Sequence, residues 1–108
     1  MELVKTAAAG TLESSDVMVT LGPGNAGIEI ELTSTVEKQF GKQIRKVVEE
    51  TVCKANVKNV RIQLNDRGAL DCTIRARVEA ALYRAAGSTD YKWGEWKWRS
   101  SGNVWDGP

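Results

Sequence analysis

Hydrophobic and polar residues alternate in two short segments near the amino end, residues 16–21 and 28–32. A period of two is typical of half-buried β-strands. The alternating apolar positions are Val17, Val19, Leu21, Ile28, Ile30 and Leu32. Residues 22–27, GPGNAG, separate the segments and have the composition of a turn. Two strands joined by a short turn predict an antiparallel hairpin.

The period then changes to steps of three and four, which predicts a helix over about 35–55. Its apolar positions are Val36, Phe40, Ile44, Val47, Val48 and Val52. Ser34 followed by Glu37 has the spacing of a capping box, and this marks the start of the helix. Asn56 is a plausible stop.

The segment after this helix is ambiguous. Residues 59–65 alternate again, and residues 66–68, Asp-Arg-Gly, predict a turn. The next apolar residues fit a strand over 69–77 followed by a short helix over 78–86, but steps of four among them also fit one long helix. We favour the second hairpin, strands 59–65 and 69–77, over the single helix.

These elements predict an α+β fold. We expect a small two-layer sandwich in which an antiparallel sheet of about four strands carries one long and one short helix on one face. The chain of 108 residues is long enough for one such domain, which we assign to residues 1–87. Residues 88–108 hold all four tryptophans, and we expect an atypical tail that packs on its own domain, is disordered, or is vector-encoded.

Charge and residue usage exclude several classes of protein. Fifteen Lys and Arg against 14 Asp and Glu give a net charge of +1, which lacks the cationic excess of a nucleic-acid binder. The absence of histidine excludes Ser-His-Asp catalysis and HExxH zinc sites. Cys53 and Cys72 are too few for a zinc site, and their apolar surroundings predict buried thiols. Without a signal peptide or a run of ~18 apolar residues, we expect a cytoplasmic protein, with no membrane partner and no metal in this chain.

Most local motifs are weak. GPGNAG matches G-x-G-x-x-G, but a strand follows it where a phosphate-binding loop needs a helix. Glu29 and Glu31 predict a solvated strand face rather than a catalytic pair. Tryptophans beside Lys92, Lys97 and Arg99 could stack on bases, so a small nucleic-acid-binding module that uses the Trp-rich tail is an alternative of another class.

One further segment, GTLESSDVMV at residues 10–19, places Ser14 and Ser15 between two acidic residues just before a strand. From the residues alone this is a polar turn. A hydroxyl on an exposed turn is nevertheless what a modifying enzyme requires, because it is reachable and lies on mobile backbone.

Three runs together resemble a known family: AGTLESSDVMV, TSTVEKQFGKQIRKVVEE and DRGALDCTIRARVEAALYRA. In order and spacing they are similar to the acyl carrier protein, or gamma subunit, of bacterial citrate lyase, over about residues 7–87. The acyl carrier subunit of malonate decarboxylase is a more distant relative and the alternative identity. Ordinary acyl carrier proteins are helical bundles with an Asp-Ser-Leu attachment site, so both fold and modifying enzyme should differ here.

The resemblance implies a carrier that performs no catalysis. Ser14, and less plausibly Ser15, would carry a 2'-(5''-phosphoribosyl)-3'-dephospho-coenzyme A group through a phosphodiester; family members usually have Gly or Ser at position 15. The alpha subunit would exchange the acetyl group on its thiol for citrate and release acetate. The beta subunit would then cleave the citryl thioester to oxaloacetate and regenerate the acetyl thioester, so that the complex converts citrate to acetate and oxaloacetate. A prosthetic-group transferase and an acetylating ligase are the other implied partners. We expect repulsion from Glu13 and Asp16 to keep the anionic arm swinging free.

Overall fold

The computed structural model describes residues 2–35 and 37–87. Its elements, in chain order, are β1 (Ala7–Gly10), β2 (Val17–Pro23), β3 (Ile28–Ser34), α1 (Glu37–Lys54), β4 (Val60–Asp66) and α2 (Asp71–Ala85). The strands predicted over 16–21, 28–32 and 59–65 and the long helix over 35–55 are therefore confirmed. Val36 and the tail over 88–108 lie outside the described residues, and so do the predictions made for them.

The sheet is mixed rather than antiparallel, with strand order β1-β2-β4-β3. β2 is antiparallel to β1 and β4, whereas β3 runs parallel to β4. The predicted hairpin of β2 with β3 is wrong, because β4 lies between them. The GPGNAG segment crosses the start of β4: Val60 N donates to Gly27 O over 3.0 Å, and a Cβ at Gly24 would lie 2.9 Å from the Val60 carbonyl carbon.

The second predicted hairpin is also wrong, because residues 69–77 begin a helix. α2 spans 15 residues, and its buried side chains are Ile74, Val78, Ala81, Leu82 and Ala85. The alternative of one long helix is the better description of this segment. The fourth strand is instead β1, whose AAAG sequence has no polar–apolar alternation to reveal it.

The α+β class and the two-layer arrangement are confirmed. Both helices cover one face of the sheet: α2 packs on β1 and β2, and α1 packs on β3. The buried side chains of β2, β4 and the two helices belong to one hydrophobic core. The core residues of these four elements are Val17, Val19, Leu21, Ile44, Val47, Val48, Val52, Val60, Ile62, Leu64, Ile74, Val78, Ala81, Leu82 and Ala85. The opposite face carries polar residues, so the fold has a single apolar core between sheet and helices.

Two local predictions are corrected, and a third is left open. Cys53 and Cys72 are exposed rather than buried, because each points away from the core on the outer side of its helix. Ser34 is the last residue of β3, and its hydroxyl donates to Asp66 Oδ2 over 2.8 Å. The helix begins three residues later, at Glu37, and the capping box predicted from Ser34 and Glu37 stays a prediction.

Candidate functional site

Ser14 and Ser15 lie on the turn that connects β1 to β2, and both are exposed. They are the two central residues of a four-residue turn over residues 13–16, the serine turn, in which Asp16 N donates to Glu13 O over 3.2 Å. Ser15 has a φ of 64°, in the left-handed region. Positive φ at the third position is typical of type II turns, which favour glycine there. The turn therefore explains why a small residue follows Ser14.

The turn is joined to the loop after β4 through a bulge. Ser15 N donates to Arg67 O over 2.8 Å, and Arg67 N donates to Asp16 O over 2.9 Å. Ser15 and Asp16 thus lie opposite the single residue Arg67, and Ser15, the first of the two, is left-handed. This is the arrangement of a G1 bulge. The bulge extends the pairing of β2 with β4, in which Val17 is opposite Asp66. The residue immediately after Ser14 is therefore fixed by the sheet.

Asp16 fixes the same turn from the side of α2. Arg77 Nε donates to Asp16 Oδ1 over 3.0 Å, and Arg77 Nη2 donates to Asp16 Oδ2 over 2.8 Å. Thr11 Oγ1 and Val17 N each donate to the carboxylate over 2.7 Å. The hydrogen bonds from Arg77, then those from Thr11 and Val17, hold the pKa of Asp16 well below its usual range, against a smaller opposing effect of desolvation. Asp16 is therefore ionised, and its charge is compensated.

The hydroxyl of Ser14 is free of this network. Thr11 Oγ1 also accepts from Glu13 N over 3.2 Å, so backbone or side-chain hydrogen bonds hold the residues on both sides of Ser14. Within residues 2–35 and 37–87 no hydrogen bond involves Ser14 Oγ. An exposed, unbonded hydroxyl on an anchored turn fits a covalently attached group, since no described residue would have to move to make room for a phosphate bonded to this oxygen.

A buried carboxylate shapes the opposite side of the site. Asp66 is 1% exposed, and it accepts from Ser34 Oγ, from Gly68 N over 3.1 Å and from Ala69 N over 3.0 Å. These bonds turn the chain out of β4 and set Arg67 beside Ser15. The sequence pattern predicted only a turn in this segment and no role for Arg67 or Arg77. The alternation of β4 could have indicated Asp66, because it continues the inward-facing series of Ile62 and Leu64.

The other candidate motifs carry no chemistry of their own. GPGNAG leads into strand β3, as predicted, and not into a helix. On the open face of the sheet Glu29 Oε1 accepts from Arg61 Nε over 3.3 Å, and Glu31 Oε1 accepts from Gln63 Nε2 over 2.8 Å. These cross-strand pairs with β4 are exposed, which agrees with a solvated face. The nucleic-acid alternative depends on tryptophans outside the described residues.

The described part of the chain has neither a metal-binding cluster nor a membrane-spanning helix. No group of three or more Cys, Asp or Glu side chains there is placed to hold a metal ion. No helix in residues 2–35 and 37–87 combines the length and the apolar character needed to cross a membrane.

Comparison with a family model matches residues 4–85 to the acyl carrier family described as malonate decarboxylase delta subunit. A chain in the crystal structure of a Pseudomonas malonate decarboxylase hetero-tetramer in complex with malonate has a similar fold, with a TM-score of 0.64 and 21% identity. The similarity covers 79% of this chain and 92% of that one. At this identity the likeness establishes the fold alone.

Curated relatives are much closer in sequence. The citrate lyase acyl carrier protein of Lacticaseibacillus casei (strain BL23) is 54% identical over 95 residues, which are 88% of this chain and 94% of that protein. That of Streptococcus uberis is 55% identical over 95 residues, with the same shares of the two chains, 88% and 94%. That of Halothermothrix orenii is 56% identical over 86 residues, 80% of this chain and 92% of that protein. Because identity at this level extends over most of both chains, the protein belongs to the citrate lyase acyl carrier protein family.

Proposed function

We propose that this chain is the acyl carrier subunit of citrate lyase and that Ser14 Oγ is the attachment point of its prosthetic group. The observation that supports this most directly is the exposed, unbonded hydroxyl of Ser14 on a turn that is anchored on both sides. Residues 1–87 form the carrier domain in this proposal. The resemblance of GTLESS to the family's attachment segment supplies the choice of this serine.

The local geometry favours Ser14 over Ser15. Ser15 is held in a left-handed conformation, and its amide is bonded to Arg67 O over 2.8 Å. A glycine would meet both requirements, since the conformation favours a residue without a Cβ. Position 15 therefore serves the turn, whereas the φ of Ser14 is not in the left-handed region and leaves its side chain for attachment.

The group we propose is the phosphoribosyl-dephospho-coenzyme A type, linked through a phosphodiester. When attached, it supplies a terminal thiol on which an acyl group is held as a reactive thioester. This chain's own residues provide the anchor: the bulge at Ser15 and the Asp16–Arg77 pair keep the hydroxyl at the surface. Since Arg77 compensates Asp16, only Glu13 remains as the repelling charge that the sequence analysis expected from both residues.

The carrier would not itself make or break bonds in the substrate. The alpha and beta subunits of citrate lyase would act in turn on the acyl group, and a tether raises its effective concentration at both active sites. The transferase that loads the arm and the ligase that acetylates it would be further partners, in the cytoplasm. Malonate decarboxylase carriers form a related family, and supplying the subunits of either complex to the loaded chain would discriminate the two pathways.

The mass of the tryptic peptide over residues 6–38 tests the attachment site. The chain and its Ser14→Ala and Ser15→Ala variants are each produced in a citrate-fermenting host with its modifying enzymes. We expect the same large adduct on the wild type and on Ser15→Ala and none on Ser14→Ala, which should also fail to support citrate cleavage by the assembled complex. An adduct on Ser14→Ala, or an unmodified wild type, would refute the proposal.

A further inference from the structure

The backbone of Arg67 is held directly opposite the serine turn. Its amide and carbonyl bond Asp16 O and Ser15 N, as described above. The residue before it, Asp66, is buried and binds the amides of the two residues that follow Arg67. The backbone of Arg67 is therefore held on both sides, so less backbone entropy is lost when the Arg67 side chain binds a ligand.

The charge of Arg67 is uncompensated where the structure can be described. Its side chain is exposed, and within residues 2–35 and 37–87 the guanidinium has neither an ion pair nor a hydrogen bond. The nearby carboxylate of Asp16 is occupied by Arg77, Thr11 and Val17 N. The serine turn thus faces a cation that has no partner among the described residues.

We propose that the Arg67 guanidinium binds the phosphodiester that joins the prosthetic group to Ser14, which makes this loop an anion subsite. The inference rests on the proposed function. In an antiparallel pair the Cα atoms of hydrogen-bonded residues are about 5.5 Å apart, and an extended arginine side chain is longer than this. From its position opposite Ser15, the Arg67 guanidinium can therefore extend toward a phosphate on the neighbouring Ser14. Its forked donors match two oxygens of a phosphate.

This contact changes the expected behaviour of the arm. Instead of swinging free from its first atom, the arm is held at its phosphate end toward the loop between β4 and α2. The remainder of the arm stays free to reach two active sites. Holding the phosphate end narrows the volume that the distal thiol explores. This raises the effective concentration of the thiol near a partner docked at this edge of the sheet.

Nuclear magnetic resonance of the loaded and unloaded wild-type chain tests the contact without a mutation. The ¹⁵N-labelled chain is loaded by production together with the prosthetic-group transferase, and its mass and peptide map are checked first. We expect the side-chain Nε–Hε signal of Arg67 to shift on loading and to return toward its unloaded position in high salt, because exposed ion pairs are screened. The signal of Arg75 should stay unchanged.

Arg75 is the matched control because it is also exposed and, in the described part of the chain, also unpaired. Arg75 lies one helical turn after Asp71, whose carboxylate accepts a hydrogen bond from Gln43 of α1 over 2.9 Å. Arg75 is therefore on the flank of α2 away from Asp16 and Arg77. Arg67→Gln should move the ³¹P resonance of the serine-bound phosphodiester, Arg67→Lys should move it less, and Arg75→Gln should leave it in place. Loading should also raise the melting temperature of the wild type a few degrees more than that of Arg67→Gln.

The outcomes separate this inference from the proposed function. Suppose that the adduct is on Ser14, that the Arg67 signal does not shift on loading, and that the ³¹P resonance does not move in Arg67→Gln. The subsite is then refuted and the carrier stands. Slower loading of Arg67→Gln with an unchanged ³¹P resonance likewise refutes the subsite, since Arg67 would then serve only the transferase. An adduct on another residue refutes both.

Discussion

Asp16 and Arg77 join the turn that carries Ser14 and Ser15 to helix α2 through two hydrogen bonds of 3.0 and 2.8 Å, although the two residues are 61 positions apart in the chain. The Asp16 side chain is 14% exposed and that of Arg77 is 39% exposed, so the pair is partly shielded from water. The ion pair therefore links a segment that presents a hydroxyl to the element that covers the core.

Replacing Arg77 with methionine should destabilise the fold while preserving the apolar part of the side chain. The change leaves a partly buried carboxylate without its main partner, and after allowance for the exposure of Arg77 we expect a loss of about 1–3 kcal/mol in the free energy of unfolding. Urea unfolding measures this loss. The control is Arg75→Met on the opposite flank of α2, which should change stability by less than about 0.5 kcal/mol. Equal effects of the two substitutions would contradict a structural role for the pair.

The same pair predicts how stability depends on pH. The pKa of Asp16 is lowered by folding, so the unfolded chain binds a proton at a higher pH than the folded chain does. The stabilisation is then fully present above the unfolded pKa of about 3.9 and declines as the pH falls toward the folded value. Urea unfolding of the wild type and of Asp16→Asn at several pH values measures the difference. We expect a constant advantage of the wild type at neutral pH down to about pH 5 and a shrinking one below about pH 4.

Position 15 should tolerate glycine but not a β-branched residue. Ser15 has a φ of 64°, a region that costs an ordinary L-residue roughly 1–2 kcal/mol and glycine almost nothing. We expect Ser15→Gly to be neutral or stabilising by up to about 1 kcal/mol and Ser15→Val to be destabilising by about 1–2 kcal/mol. Thermal unfolding measures both. Ser14→Val, one residue away at an exposed site without positive φ, should change stability by less than about 0.5 kcal/mol; a Ser14→Val cost as large as that of Ser15→Val would argue against the left-handed turn.

The sequence predicted those elements whose period is unambiguous. The apolar residues of helix α1 have helical spacing and do not alternate, whereas those of β4 alternate, so both elements were predicted to within two residues. Leu70, Ile74 and Val78 satisfy both periods, and the choice between strand and helix depends on Asp66, whose carboxylate turns the chain out of the sheet. The position of β4 between β2 and β3 is likewise a long-range result that no local pattern contains.

The site divides in the same way. Ser14 could be proposed because it lies within one short run that resembles a known attachment segment. Arg67 and Arg77 could not, because their relation to the turn depends on the order of strands and on which flank of α2 faces β1. The exposure of Cys53 and Cys72 was mispredicted for a similar reason, since apolar periodicity locates a helix more reliably than it fixes which residues beside the stripe are covered.

Asp66 is the residue through which the fold positions the turn that carries Ser14 and Ser15, so its loss should affect both stability and the turn. Asp66→Ala removes the acceptor of Ser34 Oγ and of two backbone amides in a buried position, and we expect it to lower the free energy of unfolding by about 2–4 kcal/mol. Because the displaced loop carries the carbonyl that Ser15 N bonds, hydrogen exchange of the Ser15 amide should accelerate in this variant more than that of Val19 in the middle of β2. Asp71→Ala, which removes only an exposed bond to Gln43, is the matched control and should leave the exchange of Ser15 unchanged. A Ser15 amide equally protected in wild type and Asp66→Ala would mean that the turn is held without the loop after β4.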